Sequence, residues 1–326
     1  MSDSKRILVI GLSNIGDCVL MSPVIARLHG AFPGSQITLA VSERAQCVFE
    51  KDPRIQKIVA TDEFSGVIGK IKLIFLVWNI RPHLLIDLRY AALALCYKPW
   101  RAWRYFIPVP KAARHARDRH LFLFSKQAGI RLGAETPEKS LWISDEAKEY
   151  VSGLMKRWGI DESKRLVVAC PGARSPIKRW QGEKFAAVCD GLIERHNCEV
   201  LLTGEVGESE IINEVLGAMK SRAHSAVGST TVLQAGALME RASLVITNDS
   251  ASLHIACAVG AKVLAIFGPT DHLKYGPTGK DDLVIRRRLF CTPCEKANCR
   301  YSHECMRFIP AEEVFAAAEK LLKGKG

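Results

Sequence analysis

Acidic residues are the scarce charged type in this sequence. Its 326 residues include 34 Asp and Glu against 46 Lys and Arg, which gives a formal net charge of +12 and an isoelectric point near 9.2. A basic surplus of this size favours acidic partners: nucleotides, phosphorylated sugars, an anionic membrane or nucleic acid. The sequence contains no RNP-like stretch and no zinc-finger spacing, so we expect no nucleic acid among the partners.

Long hydrophobic runs and secretion signals are also missing. The apolar run at residues 73–78 is far shorter than the roughly 20 residues needed to span a bilayer. Residues 1–13, MSDSKRILVIGLS, pass from a short polar lead directly into a strand pattern and do not resemble a signal peptide. The 11 cysteines are scattered along the chain, which favours reduced thiols over a disulfide framework. These features predict a cytoplasmic protein.

Common nucleotide and metal motifs are absent as well. Gly11 and Gly16 do not have the G-x-G-x-x-G spacing of a dinucleotide site. The loop PGARSPIKRW, residues 171–180, lacks the G-K-[ST] of a Walker A loop, which disfavours ATP hydrolysis. No cluster of Asp, Glu and His suggests a divalent ion. We therefore expect neither a cofactor nor a catalytic metal.

Alternating strand and helix patterns fill both halves of the chain. Strands are predicted at residues 6–12, 36–41, 55–60, 84–88, 166–170, 199–203, 244–247 and 262–267. Segments with helical apolar spacing lie between most of them. Repeated β/α alternation predicts an α/β protein built from Rossmann-like, doubly wound parallel sheets.

The chain length and a polar stretch near residues 136–164 predict two domains. We place the first at residues 1–150 and the second at 151–326, facing each other across a central cleft. The last helix, at residues 311–322, has the spacing to pack on a sheet, either its own or that of the first domain.

Asp17 is the candidate catalytic residue of the first domain. It follows the strand-to-helix turn SNIG, and a carboxylate at a helix N-terminus is favourable and can accept a proton. An ordinary helix-capping carboxylate without chemistry is the alternative.

Candidate phosphate and ribose ligands follow two strands of the second domain. The loop 171–180 contains Arg174, Ser175, Lys178 and Arg179. Cations and a hydroxyl beside a helix suit a pyrophosphate, although a solvated basic turn would look similar. Glu208 follows the next strand, where an acidic side chain can bind a ribose hydroxyl pair or simply stabilise a helix N-terminus.

A third polar loop, TNDSASLH, precedes a short helix at residues 252–259. Asp249 and Ser250 stand at the strand end, Ser250 is placed to cap the helix, and His254 lies one turn further. The first-turn N–H groups would then form an anion site. The alternative is an ordinary N-cap with a satisfied histidine. Together, the loops predict a base on one domain and a nucleoside diphosphate site on the other.

Two further segments have special composition. CTPCEKANCRYSHEC, residues 291–305, spaces Cys291, Cys294, Cys299 and Cys305 for structural zinc, for a disulfide or for reduced packing. Residues 96–120 interleave aromatic and basic residues, which suits an anionic membrane or a phosphorylated lipid-sugar acceptor, although a solvated loop is the alternative. The candidates in this segment are Arg101, Trp103, Arg104, Arg117 and His120.

Three stretches resemble glycosyltransferase family nine, the ADP-heptose:lipopolysaccharide heptosyltransferases. They are ILVIGLSNIGDCVLMSPVIARLHGAFPGSQITLAVSE, PGARSPIKRW and VITNDSASLHIACAVGAKVLAIFGPT. The resemblance implies a GT-B fold and a metal-independent, inverting transfer of heptose from ADP-heptose to the lipopolysaccharide inner core. It also implies an acceptor-binding first domain and a nucleotide-sugar-binding second domain.

The resemblance also implies roles for particular residues. Asp17 matches the family's proposed base, Lys178 its phosphate-binding lysine and Glu208 its ribose-binding acid. Asp249, Ser250 and His254 match the donor loop, and Thr230 falls near another donor contact. Ala251 stands where the family usually has glycine, so a positive φ there would bring strain.

The sequence leaves two other function classes open. One is an enzyme of the same fold that uses another sugar nucleotide, and the other is a non-catalytic basic module that binds a nucleotide or lipid. For the leading interpretation we expect a monomer at the cytoplasmic surface of the inner membrane.

Overall fold

A computed structural model of the chain describes residues 4–62, 66–89, 93–133 and 139–323. It divides into two compact units, residues 1–142 and 143–326. The division falls just before the helix at residues 145–158, which is part of the second unit. Each unit contains one parallel sheet, so the predicted α/β class with two Rossmann-like units is confirmed.

The first unit is built on a four-stranded sheet in the order β3-β2-β1-β4. Its strands are β1 (Arg6–Ile10), β2 (Gln36–Val41), β3 (Lys57–Ala60) and β4 (Leu84–Asp87). In the central register Ile7 of β1 pairs with Ile37 of β2 and Leu84 of β4. The helices are α1 (Ile15–Ala31), α2 (Gly66–Ile80), α3 (Leu93–Tyr97) and α4 (Ala116–Ala128), with 3₁₀ turns at Glu43–Val48 and Pro99–Arg104. The helices α3 and α4 were not predicted from the sequence.

The second unit is built on a six-stranded sheet in the order β10-β9-β8-β5-β6-β7. Its strands are β5 (Leu166–Cys170), β6 (Glu199–Leu202), β7 (His224–Ser225), β8 (Leu244–Asn248), β9 (Val263–Phe267) and β10 (Leu283–Arg286). Every residue of β5, β8 and β9 is buried, as expected for central parallel strands covered on both faces. The edge strands β7 and β10 were not predicted, because they are short and only partly buried.

Helices cover both faces of this second sheet. They are α5 (Asp145–Trp158), α6 (Gly182–His196), α7 (Ser209–Ala218), α8 (Val232–Glu240), α9 (Ala251–Ala258), α10 (His272–Tyr275), α11 (Glu304–Arg307) and α12 (Ala311–Lys323), with 3₁₀ turns at Pro176–Lys178 and Val206–Glu208. The helix α12 packs on α6 and on strands of this sheet, within the second unit. The sequence had left open whether this last helix packs on the sheet of the second domain or on that of the first.

Local signals account for the ends of several helices. Ser144 accepts a hydrogen bond from the backbone N–H of Ala147 at the start of α5, and Gly159 ends that helix with a left-handed φ of 69°. Gly129 ends α4 in the same way, with φ 70°. These caps fix where the helices stop, and therefore where the loops between elements begin.

Candidate functional site

The topology of the second unit brings four polar loops to one edge of its sheet. From β5 the chain proceeds outward through β6 and β7, then returns to the other side of β5 for β8, β9 and β10. The order therefore reverses between β5 and β8. In open parallel sheets, ligands bind at the carboxyl ends of the strands beside such a switch point. The loops after β5, β6, β8 and β9 all leave from that edge.

Asp249 joins three of these loops. Its side chain is buried, and its Oδ2 accepts hydrogen bonds from Lys178 Nζ at 2.7 Å and from Thr270 Oγ1 at 2.6 Å. Asp249 follows β8, Lys178 belongs to the loop after β5, and Thr270 to the loop after β9. A buried carboxylate needs such donors to offset its lost hydration. The pairing of Lys178 with Asp249 brings together two predicted site residues that are 71 positions apart.

Lys178 keeps further hydrogen-bonding capacity beside this contact. An ammonium group carries three donors, and its side chain remains 29% exposed in the pair with Asp249. One donor therefore holds the lysine in place while the others can bind an anionic ligand. Thr270 is a residue that the sequence motifs did not single out, although it ends the strand-and-turn pattern AIFGPT.

The side chain of Asn248 also holds the loop 171–180 in place. It is fully buried, its Oδ1 accepts from the backbone N–H of Trp180 at 3.2 Å, and its Nδ2 donates to the carbonyl of Pro171 at 2.7 Å. Both ends of the loop 171–180 are thus fixed to the end of β8. No role for Asn248 follows from the sequence alone, because the partners are distant along the chain.

The N-terminus of α9 lies directly after Asp249. Ser250 occupies the predicted N-cap position, but its side chain makes no capping hydrogen bond. The expectation that Ser250 caps the helix was therefore wrong in that detail, and its hydroxyl lies 3.4 Å from the Thr247 hydroxyl instead. His254 is buried one turn into the helix.

Ala251 is the first residue of α9 and has a helical backbone. Ala251 is not one of the described residues that have a positive φ. The strain considered for alanine at this position is therefore absent from this conformation.

Glu208 lies between the loops after β5 and β6. Its carboxylate accepts from the backbone N–H of Glu205 at 3.0 Å, as part of a capping box at the 3₁₀ turn. A Cβ on Gly172 would stand 2.2 Å from Cδ of Glu208, and a Cβ on Gly204 would stand 2.7 Å from Oε2. Both glycines are thus required for the close approach of this carboxylate. Burial raises the pKa of Glu208, while the hydrogen bond to Glu205 opposes that shift.

The remaining predicted residues of this unit are on the same edge of the sheet. Arg174 is exposed and Ser175 is half-buried at the start of the 3₁₀ turn Pro176–Lys178. Thr230 is half-buried in the loop between β7 and α8, next to Thr231, which caps α8. The charge of Arg179, the third cation of the loop 171–180, opposes the raised pKa of Glu208, and its Nε donates a hydrogen bond to the carbonyl of Ala173 at 2.8 Å.

In the first unit, Asp17 lies in the first turn of α1. The carboxylate is half-buried and accepts a hydrogen bond from Asn14 Nδ2 at 3.0 Å. The order of this sheet reverses between β1 and β4, so α1 starts beside the switch point. Asp87, at the end of β4, is buried there and accepts from the backbone N–H of Arg89 at 2.9 Å. Neither Asp87 nor Arg89 was predicted as a site residue.

His120 lies in the interior of the first unit on α4, which packs against α1. Burial lowers the pKa of His120 to about 4, while its hydrogen bond to the carbonyl of Leu20 and the nearby Asp17 carboxylate oppose the shift. Its Nδ1 is buried and has no hydrogen-bond partner in the described part of the chain. The structure thus places His120 near Asp17 and apart from the exposed aromatic residues with which the sequence grouped it.

The other candidates of the basic and aromatic segment are one tryptophan and three arginines. Trp103 is 64% exposed, and the Arg104 guanidinium stacks over its ring at 5.2 Å. Arg117 pairs with Asp118 at 3.1 Å. Arg101 belongs to the 3₁₀ turn Pro99–Arg104, and its side chain is outside the described part of the structure.

The four cysteines at residues 291–305 line one pocket of about 360 Å³, together with Ile177 and Pro269. All four are free thiols, which contradicts the disulfide alternative. Burial and the three neighbouring cysteines raise the pKa of Cys305 to about 11. Across the described ranges, no group of three or more His, Cys, Asp or Glu side chains is placed to hold a metal ion.

Helix length also bears on the membrane question. Within the described ranges, none of the helices combines the length and the apolar character required to cross a bilayer.

Comparison with known proteins gives a consistent result. The sequence model described as "Glycosyltransferase family 9 (heptosyltransferase)" matches residues 97–304. Lipopolysaccharide heptosyltransferase 3 of Escherichia coli K12 is 25% identical over 332 residues, covering 94% of this chain and 95% of that protein. The family 9 glycosyltransferase of Veillonella parvula superposes with a TM-score of 0.81 at 24% identity, covering 99% of both chains. The E. coli ADP-heptose lipopolysaccharide heptosyltransferase II superposes with a TM-score of 0.75 at 21% identity, covering 98% of both.

Proposed function

The chain belongs to glycosyltransferase family 9, and from that premise we propose that it transfers a heptose from ADP-heptose to a hydroxyl of the lipopolysaccharide inner core. Full-length similarity to heptosyltransferases supports this activity, because the match extends through both units. The observation that carries the proposal is the contact of Lys178 and Thr270 with buried Asp249, which assembles a cationic, hydrogen-bonding site at the sheet switch point.

In this proposal the second unit binds the donor. Lys178, Arg174 and the first-turn N–H groups of α9 bind the diphosphate, with Ser175, Ser250 and Ala251 contributing the surrounding loop backbone and hydroxyls. Glu208 accepts hydrogen bonds from the ribose, and Thr230 and His254 border the nucleotide. Asp249 acts through Lys178, because it fixes the ammonium group rather than facing the anion itself.

The first unit binds the acceptor and supplies the base. Asp17 takes the proton from the acceptor hydroxyl as its oxygen attacks the anomeric carbon of heptose from the face opposite ADP. The bond from that carbon to the β-phosphate oxygen breaks, ADP leaves, and the configuration inverts. Lys178, Arg174 and the α9 N-terminus stabilise the charge that develops on the diphosphate, so the step needs no metal ion.

We further propose that the enzyme acts as a monomer on the cytoplasmic side of the inner membrane, where its acceptor is embedded. The exposed Trp103 with its stacked Arg104, together with Arg101 and Arg117, suits contact with anionic headgroups or with the phosphorylated acceptor.

The proposal is tested by incubating the protein with a panel of sugar nucleotides and truncated lipopolysaccharides and following product mass. A product heavier by one heptose, formed only with ADP-heptose, is expected. Asp17→Asn should bind ADP normally but transfer about 10²–10⁴-fold more slowly, because the amide cannot accept the proton. Transfer from a UDP or GDP sugar alone would contradict the donor, and near-normal turnover of the variant would contradict the base.

A further inference from the structure

The helix α2 has an apolar face that the rest of the first unit leaves uncovered. Ile68, Ile71, Phe75 and Trp78, here called the α2 stripe, follow one another at helical spacings of three and four residues and therefore share a side of the helix. Their exposed fractions are 73%, 48%, 56% and 51%. A surface helix of a soluble domain normally places polar residues on its solvent face. The α2 stripe is therefore an exposed apolar surface about 15 Å long, at positions where a surface helix normally has polar residues.

The opposite face of α2 already serves the protein core. Leu73 and Val77 are buried and pack with Leu8, Ile10 and Leu85 of the sheet. This face packs the helix onto the sheet. The residues of the α2 stripe do not belong to this core cluster.

The α2 stripe is continuous with the exposed aromatic residues of the following segment. Trp78 Nε1 donates to the carbonyl of Cys96 at 3.3 Å, and α2 packs on α3, which packs on the 3₁₀ turn Pro99–Arg104. Exposed apolar side chains continue along this path at Leu95, Trp100, Trp103 and Phe106. A contiguous exposed apolar surface of this kind marks an interaction site.

The stretch of chain that contains this surface is rich in positive charge. Residues 64–117 contain a single acidic residue, Asp87, and that residue is buried. Ten cations lie in the same span: Lys70, Lys72, Arg81, Arg89, Lys98, Arg101, Arg104, Lys111, Arg114 and Arg117. Lys70 and Lys72 are exposed on α2 itself. The partner that suits an apolar stripe bordered by cations has an apolar interior and an anionic surface.

We propose that α2 lies in the plane of an anionic phospholipid bilayer, with the α2 stripe inserted among the lipids and the bordering cations on the lipid phosphates. This deepens the proposed function, since it names the element that holds the enzyme at the inner membrane. A second copy of the chain fits less well, because a two-fold interface would bring the same cationic surfaces of both copies together. Salt distinguishes insertion of the α2 stripe from headgroup contact by Arg101, Trp103 and Arg104. High salt screens the attraction between cations and headgroups, but it does not weaken the burial of apolar side chains in the bilayer.

The test is co-sedimentation with vesicles of phosphatidylethanolamine and phosphatidylglycerol at low salt and at 1 M salt, where the Debye length is about 3 Å. Ile71→Ser combined with Phe75→Ser should lower vesicle partitioning at least about tenfold at both salt concentrations, because two apolar side chains no longer enter the bilayer. The matched control combines Leu273→Ser with Phe308→Ser, two apolar residues each 49% exposed on the second unit, and should bind as the parent does. Melting curves verify that both variants fold.

Equal partitioning of parent and stripe variant would overturn the proposal. So would sedimentation equilibrium that shows a parent dimer dissociated by the same variant, since the α2 stripe would then face a second copy. Transfer to a short soluble acceptor separates this inference from the proposed function, because the stripe variant should keep parental activity there. If the parent binds vesicles but transfers no heptose to any acceptor, the proposed function is wrong and the membrane inference stands.

Discussion

At the scale of single residues, the proposed donor site depends on one buried carboxylate. Asp249 is held by Lys178 and Thr270, which come from loops on either side of β8. A lysine fixed in this way costs little entropy when a diphosphate arrives, because its position is set before binding. Its contribution should therefore appear in nucleotide affinity, in addition to the stability that it gives by pairing with buried Asp249.

Lys178→Ala should weaken ADP binding about tenfold or more at low salt, and the deficit should shrink as salt screens the lost charge. Isothermal titration calorimetry at two salt concentrations measures both effects. Lys164→Ala is the matched control, because Lys164 also pairs with a carboxylate of the second unit, Glu199, at 3.4 Å with similar exposure. Equal ADP affinity of Lys178→Ala and the parent would mean that the diphosphate binds elsewhere.

His120 should make the protein sensitive to acid. Its folded pKa of about 4 lies below the ordinary value of 6.5, so the unfolded chain binds more protons between those values. Stability from this residue is complete above about pH 6.5 and is lost as the pH falls toward 4. The loss is on the order of 3 kcal/mol, from 1.36 kcal/mol per pKa unit.

Urea unfolding at a series of pH values from 7 to 4 measures this dependence. His120→Gln keeps an N–H donor for Leu20 but does not titrate, so its free energy of unfolding should fall less steeply with acid than that of the parent. Parallel curves for the two proteins would show that His120 is not the responsible group.

At the scale of elements, strand order decides which loops meet. The reversal between β5 and β8 brings the loop 171–180 against the end of β8, and β6 adds Glu208 on the other side. Gly172 and Gly204 let the Glu208 carboxylate approach the backbone of both loops. The position of Glu208 therefore depends on the loops of two strands as well as on the capping box of its own turn.

Gly172→Ala should displace Glu208 and weaken ADP binding about fivefold, equivalent to one lost hydrogen bond of about 1 kcal/mol. The free energy of unfolding should change less, because the end of a flexible side chain can move aside. Gly207→Ala is the control from the neighbouring turn, since a Cβ there meets nothing within 4 Å. Calorimetry with ADP should find the control unchanged, and an unchanged Gly172→Ala would remove Glu208 from the nucleotide site.

At the scale of the whole molecule, the proposed mechanism uses the positive charge of the protein in place of a metal ion. The net charge is +12, and Lys178, Arg174 and the positive end of α9 place part of the positive charge at one edge of the second sheet. Fixed positive charges of this kind can stabilise a leaving diphosphate without a divalent cation.

Transfer should accordingly continue in excess EDTA at the rate seen without it. The measurement is the initial rate with ADP-heptose and a soluble acceptor, before and after chelation, followed by addition of Mg²⁺. Loss of activity that Mg²⁺ restores would contradict the roles given to Lys178 and Arg174.

The sequence by itself determined the secondary structure around the sites and the family. Period-two and period-3.6 apolar patterns and turn residues are local, so they located β1, β5, β8 and β9 and the loops that follow them within a few residues. They failed at β7 and β10, which are too short and too exposed to give a pattern.

Only the tertiary structure decided the contacts that distinguish one polar loop from another. These contacts join residues from separate elements. They are the hydrogen bond of Thr270 to Asp249, the enclosure of Glu208 by Gly172 and Gly204, and the burial of His120 near Asp17. The α2 stripe is the clearest case, because its side chains are as apolar in sequence as those of the buried face of α2, and only packing leaves them exposed. Sequence patterns record which side chains are apolar, whereas packing decides which of them the fold covers.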